Sequence, residues 1–95
     1  MSNVIEQALN ALNEKMSGAG FDGSAKFSIE GEGSVIVDAN GVRASDDDAE
    51  VTLIATADVF HDIMAGELDP TSAFMSGKLR IEGDMGTAMR LSSVL

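Results

Sequence analysis

Residues 73–91 read AFMSGKLRIEGDMGTAMRL, and this stretch carries the most informative pattern in the chain. Glycines divide it into elements. Gly77 ends a short helix, and Gly83 separates an alternating strand at residues 78–82 from a last helix that Asp84 caps. The large side chains are mainly Met and Phe, and Met adapts to irregular shapes. The stretch therefore predicts a helix, a strand and a helix around a deformable apolar surface.

The segment before this stretch contains two further helix starts. Asp69 followed by Pro70 is typical of an N-cap and a first helical position. Thr56 caps an earlier helix, which ends at Gly66. The apolar face of that helix carries Val59, Phe60, Ile63 and Met64. Two short helices are thus expected ahead of the strand at residues 78–82.

The first half of the chain predicts a helix followed by four strands. Apolar residues at spacings of three and four indicate an amphipathic helix over residues 3–17, ended by Gly18-Ala19-Gly20. Alternation then favours strands at 25–29, 34–38, 42–44 and 50–55, with a hairpin turn at Asn40-Gly41. The complete order predicts one α+β domain over residues 1–95, with a single sheet and the helices against one face.

The composition limits which partners and which location we expect for the protein. Sixteen acidic and six basic residues among 95 give a net charge of −10, which disfavours nucleic acid and anionic membrane surfaces as partners. No stretch approaches the ~20 apolar residues of a membrane span, so stable membrane insertion is not expected. No secretory signal is recognisable at the start, and Cys is absent. We therefore expect a cytoplasmic protein.

Groups for catalysis or metal binding form no recognisable motif. His61 is the only histidine, and no nucleophile pattern lies beside it. Asp46-Asp47-Asp48 lacks the ligand spacing of a calcium loop and is explained as a solvated turn. We expect no catalytic residue, no metal and no cofactor.

Two runs in the opening stretch resemble the sterol carrier protein type 2 family, whose domain is often called the sterol-binding domain. Residues 73–81 are similar to its Ala-Phe-x-x-Gly-Lys-Leu-x-Ile run, and residues 83–91 to its Gly-Asn/Asp-Met-x-x-Ala-x-Lys/Arg-Leu run. The resemblance implies a five-stranded mixed sheet with helices that enclose an apolar tunnel for sterols, fatty acyl chains or other lipids. Many members continue beyond the position of Leu95, so we expect a homodimer that closes the site.

The Met/Phe pattern and the resemblance together predict an apolar cavity. Its expected lining is Phe60, Ile63, Met64, Phe74, Met75, Leu79, Ile81, Met85 and Met89. From composition alone, an ordinary core explains the same residues. Lys78 and Arg80 alternate with the apolar strand residues, and together with Arg90 they are candidates to contact a lipid head group. A solvated strand face explains that alternation as well.

The predicted function is non-enzymatic binding, and transfer, of a hydrophobic lipid such as a fatty acid, a sterol-like molecule or an isoprenoid. Helices at 57–66 and 84–95 are expected to open the site. The alternative is a scaffold or accessory module, for example in quinone biosynthesis, that docks a partner through its apolar groove. An internal cavity favours the carrier, whereas exposed apolar residues favour the module or a carrier with an open site.

Overall fold

The computed structural model describes residues 3–16 and 21–92. The elements follow the predicted order: α1 (Asn3–Met16), β1 (Ala25–Ile29), β2 (Gly33–Asp38), β3 (Gly41–Ala44), β4 (Val51–Ala55), α2 (Ala57–Met64), α3 (Pro70–Met75), β5 (Arg80–Gly83) and α4 (Met85–Ser92). The predicted end of the first helix at residues 17–20 and the predicted continuation of the last helix over 93–95 lie outside the described residues. Across the described ranges, no helix is long and apolar enough to cross a membrane.

The five strands form one mixed sheet in the order β3-β2-β1-β4-β5. β1 pairs in parallel with β4, with Ala25 opposite Val51, and the other neighbours are antiparallel. β3 and β4 therefore run in the same direction on either side of β2 and β1, and the segment 45–50 has to cross the sheet between them. Within this segment, Asp46 contacts β1 and β2: its Oδ1 accepts hydrogen bonds from Lys26 Nζ at 3.3 Å and from Ser34 Oγ at 3.2 Å.

The core lies on the inner face of the sheet, beneath the helices. Alternation along β1 and β4 buries every second residue. α1 contributes Ala8, Leu12 and Met16 at spacings of four, and all three are buried. Phe27 of β1 and Phe60 of α2 meet edge to face with ring centroids 5.4 Å apart. The predicted arrangement of one sheet with its helices on one face is confirmed.

The predicted caps before α2 and α3 are present. Thr56 Oγ1 accepts from the backbone N–H of Val59 at 3.3 Å, and Asp69 Oδ2 accepts from that of Ser72 at 3.1 Å. These bonds satisfy N–H groups that a helix start leaves without intrahelical partners. Capping and proline chemistry thus fix the starts of both short helices.

Several predicted boundaries are wrong by one or two residues, among them the starts of β5 and β3. β5 begins at Arg80 rather than Lys78, because the backbone N–H groups of Lys78 and Leu79 both donate to Ala73 O, at 2.9 and 3.0 Å. The α3–β5 turn therefore takes both residues out of the strand. In the hairpin, Asp38 pairs with Gly41, so residues 39–40 alone form the turn. Gly41, with φ +109°, is the first residue of β3.

Candidate functional site

Residues that the structure describes form two clefts between helices. The first, here called the α3–α4 cleft, has a volume of about 280 Å³ and is lined by Pro70, Thr71, Phe74, Met75, Ile81, Met85, Ala88 and Met89. The second, the α1–α2 cleft, has a volume of about 190 Å³ and is lined by Val4, Gln7, Ala8, Ala11, Ala57, Asp58, Phe60, His61 and Met64. The α3–α4 cleft is larger and has no charged residue in its lining.

The shortness of α3 explains why one wall of the α3–α4 cleft is exposed. This helix has six residues, and it turns Ala73 fully into the core. The next two residues, Phe74 and Met75, then face away from the core, and the Met75 side chain is 80% exposed. A short helix anchored by one small residue thus presents two large apolar side chains to the cleft.

The opposite wall is the outer side of α4. Ala88 and Leu91, three residues apart, are buried, whereas Met85 and Met89, four apart, share an exposed side of the helix. Ala88 also lines the cleft, although it is only 2% exposed. α4 is therefore apolar on two sides, one for the core and one for the cleft.

A polar cluster of Asp84, Thr87 and Arg90 holds the start of α4. Asp84 Oδ2 accepts hydrogen bonds from the Thr87 hydroxyl and from its backbone N–H, the latter at 3.0 Å. Arg90 Nη2 in turn donates to Thr87 Oγ1 at 3.3 Å. The hydrogen bond from the Thr87 side chain, then that from its backbone, and the Arg90 charge lower the pKa of Asp84 below its ordinary value. The carboxylate form of the cap is thereby favoured.

Thr87 was not predicted as a positioning residue. It is completely buried, and it is the one buried polar side chain within 4–16 and 21–91. Its signal in the sequence is the spacing Asp84-x-x-Thr87, which is that of an N-cap and the third helical position. Pro70, Thr71 and Ala88 were also missed among the lining residues, because small or polar side chains carry no apolar pattern.

The structure divides the nine predicted cavity residues among three places. Five of them line the α3–α4 cleft together: Phe74, Met75, Ile81, Met85 and Met89. Phe60 and Met64 line the α1–α2 cleft instead. Ile63 and Leu79 are buried in the core. The structure thus brings five of the nine predicted residues together in one cleft and places the other four elsewhere.

The three predicted head-group cations lie apart from both cleft linings. Lys78 is exposed in the α3–β5 turn. Arg80 is opposite Ile54 in the sheet, and its Nη2 lies 3.2 Å from Glu82 Oε2. Arg90 engages Thr87. These positions favour a solvated turn for Lys78, a solvated strand face for Arg80 and a structural contact for Arg90.

Sequence comparison decides the family of this fold. The profile described as the SCP-2 sterol transfer family matches residues 3–95. The chain belongs to the SCP-2 sterol transfer family. Among its relatives, the hydroxysteroid dehydrogenase-like protein 2 of Xenopus laevis is 47% identical over 47 residues, which are 50% of this chain and 11% of that protein. The chain thus matches about a tenth of the length of that relative.

Solved structures of the SCP-2 fold confirm the architecture. The solution structure of sterol carrier protein domain 2 of Helicoverpa armigera has a TM-score of 0.77 and 23% identity, with 96% of this chain and 84% of that chain covered. The solution structure of sterol carrier protein-2 from Aedes aegypti, a complex with the C16 fatty acid palmitate, has a TM-score of 0.76 and 21% identity. The alignment of the two structures covers 98% of this chain and 94% of that chain. The five-stranded mixed sheet of this chain is thus an SCP-2 fold.

Proposed function

We propose that this chain binds the apolar part of a lipid in the α3–α4 cleft and carries it without chemical change. The observation that carries the proposal is the cleft itself: about 280 Å³, with eight lining residues of which none is charged. Membership of the SCP-2 sterol transfer family supports a lipid as the occupant, and so does the palmitate bound in the Aedes aegypti relative. Among the described residues, no three His, Cys, Asp or Glu side chains are grouped to hold a metal.

The size of the cleft limits how tightly it holds a lipid. Ligand sites of drug-sized molecules occupy about 300–1,000 Å³, so this cleft of about 280 Å³ is slightly smaller than that range and encloses only part of a long chain. Each buried methylene contributes about 0.8 kcal/mol, against an association cost of about 4–15 kcal/mol. We therefore expect dissociation constants in the micromolar range or weaker, which suits exchange between donors and acceptors.

A second candidate function has one observation in its favour. Met75 is 80% and Met89 72% exposed, which is the arrangement expected for a docking module or for a carrier with an open site. A homodimer that covers these residues stays a prediction from the sequence, as does a cytoplasmic location.

Native mass spectrometry of the purified protein, incubated with palmitic acid and separately with cholesterol, tests lipid binding directly. The expected result is a one-to-one adduct that survives transfer to the gas phase with at least one of the two lipids. A protein that stays free of both lipids, and that also carries none from its expression host, would reject the carrier and favour the docking module.

A further inference from the structure

The large apolar side chains that the described residues leave exposed are all in one place. They are Phe74, Met75, Met85 and Met89, here called the Met/Phe patch, and all four line the α3–α4 cleft. Contiguous exposed apolar surface marks an interaction site, whereas single exposed apolar residues are ordinary. The concentration of the Met/Phe patch at the rim of one cleft therefore indicates contact with another surface.

The net charge of the chain limits which kinds of surface can bind the Met/Phe patch. The chain carries a net charge of −10, and no basic side chain lines the cleft. Anionic membranes and nucleic acids are repelled by such a molecule, and nothing at the cleft offsets the repulsion. A second copy of the chain brings another −10 and is repelled in the same way. The surface that fits therefore has an apolar interior and an exterior without net charge.

Size gives an independent argument against a protein partner. A stable protein interface takes roughly 800 Å² and about 20–30 residues from each side. The large apolar residues exposed at the cleft number only four among those the structure describes. Insertion of a few side chains among lipid head groups and acyl chains needs no such area, and flexible methionines fit a disordered surface.

We propose that the Met/Phe patch docks the protein on neutral, zwitterionic lipid surfaces. Docking places the mouth of the α3–α4 cleft against the acyl chains, so that a lipid enters the cleft without crossing water. This last step rests on the proposed function, whereas the docking itself does not. Contact is reversible, because only four large side chains insert and no described helix is long enough to span a bilayer.

Vesicle flotation tests the docking, with vesicles of phosphatidylcholine alone and of phosphatidylcholine mixed with phosphatidylserine. The test variant is the double substitution Met75→Gln/Met89→Gln, which removes apolar character, keeps side-chain length and adds no charge. Both residues are exposed, and Gln resembles Met in helix propensity, so the fold should be retained. The control variant is Ala44→Ser, an uncharged change at an exposed position of β3, at the opposite edge of the sheet.

The wild type and Ala44→Ser should float with phosphatidylcholine vesicles, and less with phosphatidylserine-containing ones. The double variant should lose at least about tenfold in partitioning, given the transfer energy of two methionine side chains. Equal flotation of the double variant, no flotation of the wild type, or a preference for anionic vesicles would overturn the docking. So would a concentration-dependent dimer in sedimentation that the double variant abolishes.

The outcome for the docking is separable from that for the proposed function. Native mass spectrometry with palmitic acid, in the absence of vesicles, measures lipid binding on the same three proteins. Lipid binding without flotation rejects the docking and retains the carrier. Flotation without lipid binding, lost in the double variant, supports the docking and rejects the carrier.

Discussion

Filling the α3–α4 cleft from within should abolish most of its lipid affinity, and Ala88 is the position to fill. Ala88 belongs to the cleft lining, yet it is only 2% exposed, so it forms part of the floor. In Ala88→Leu the larger side chain extends into the space that we assign to the ligand. The matched change in the α1–α2 cleft is Ala11→Leu, also at a lining alanine on a helix.

The expected loss follows from the atoms displaced. Leu adds the equivalent of about three methylenes, and each methylene that the ligand can no longer bury is worth about 0.8 kcal/mol. The binding free energy should therefore weaken by about 2.4 kcal/mol, on the order of 50-fold in dissociation constant. Should part of the side chain press on the core, stability falls by about 1–3 kcal/mol, which thermal unfolding reports separately.

Displacement of a fluorescent fatty-acid analogue by palmitic acid is a suitable assay, because the chain contains no Trp and no Tyr to add background. Ala88→Leu should show the weakened affinity, and Ala11→Leu should bind as the wild type does. A folded Ala88→Leu protein with wild-type affinity would refute the assignment. Weakened binding in Ala11→Leu alone would move the site to the α1–α2 cleft.

Two further predictions concern the start of α4 and its approach. The pKa of Asp84 is lowered in the folded protein, first by the Thr87 hydroxyl, so its stabilisation is present above the unfolded value near 3.8 and is lost as the pH falls through the folded value. Asp84→Asn should thus be less stable than wild type at neutral pH, and urea titrations should show the difference closing in acid; a pH-independent difference would contradict this. At Gly83, with φ +106°, a Cβ would lie 2.5 Å from Glu50 O, so Gly83→Ala should cost about 2–5 kcal/mol. At Gly31, with φ +79° and nothing within 4 Å, alanine should cost only about 1–2 kcal/mol, and equal losses in chemical denaturation would refute the role of the contact.

The order of elements could be predicted from the sequence because local chemistry determines each of them. N-caps and Pro70 fix the starts of α2 and α3, and alternation identifies β1 and β4. The error at the start of β5 has a non-local cause, because Ala73 O accepts hydrogen bonds from two backbone N–H groups of the following turn. Alternation at residues 78–82 continues through that turn and gives no sign of it.

The burial of one residue in β2 differs from what the alternating pattern predicts. Ile36 is 2% exposed, although alternation in β2 places it on the outer face, opposite Lys26 and Arg43. The segment 45–50 crosses that face and is hydrogen-bonded to it through Asp46, and we infer that this crossing contributes to the burial of Ile36. This crossing follows from the parallel pairing of β1 with β4, a long-range property that no local pattern contains.

The candidate site was predictable in composition but not in shape. Met and Phe residues near the end of the chain do form the larger cleft. Their separation from Phe60 and Met64 depends on how α2 and α3 pack, and both are short helices joined by a turn. The two apolar sides of α4 look like a single broad face in the sequence, because Met85, Ala88 and Met89 fit either the core or a cleft.

The distribution of charge determines what the α3–α4 cleft can select. Lys26, Arg43 and Arg80 each pair with an acidic side chain on the outer face of the sheet. A carboxylate bound in the cleft thus meets no lining cation, and the net charge of −10 opposes it at long range. Hexadecanol should therefore bind at least as tightly as palmitate, with any advantage shrinking as salt screens the repulsion. A clear preference for palmitate, lost in Lys78→Ala/Arg80→Ala, would restore the head-group role of these two cations.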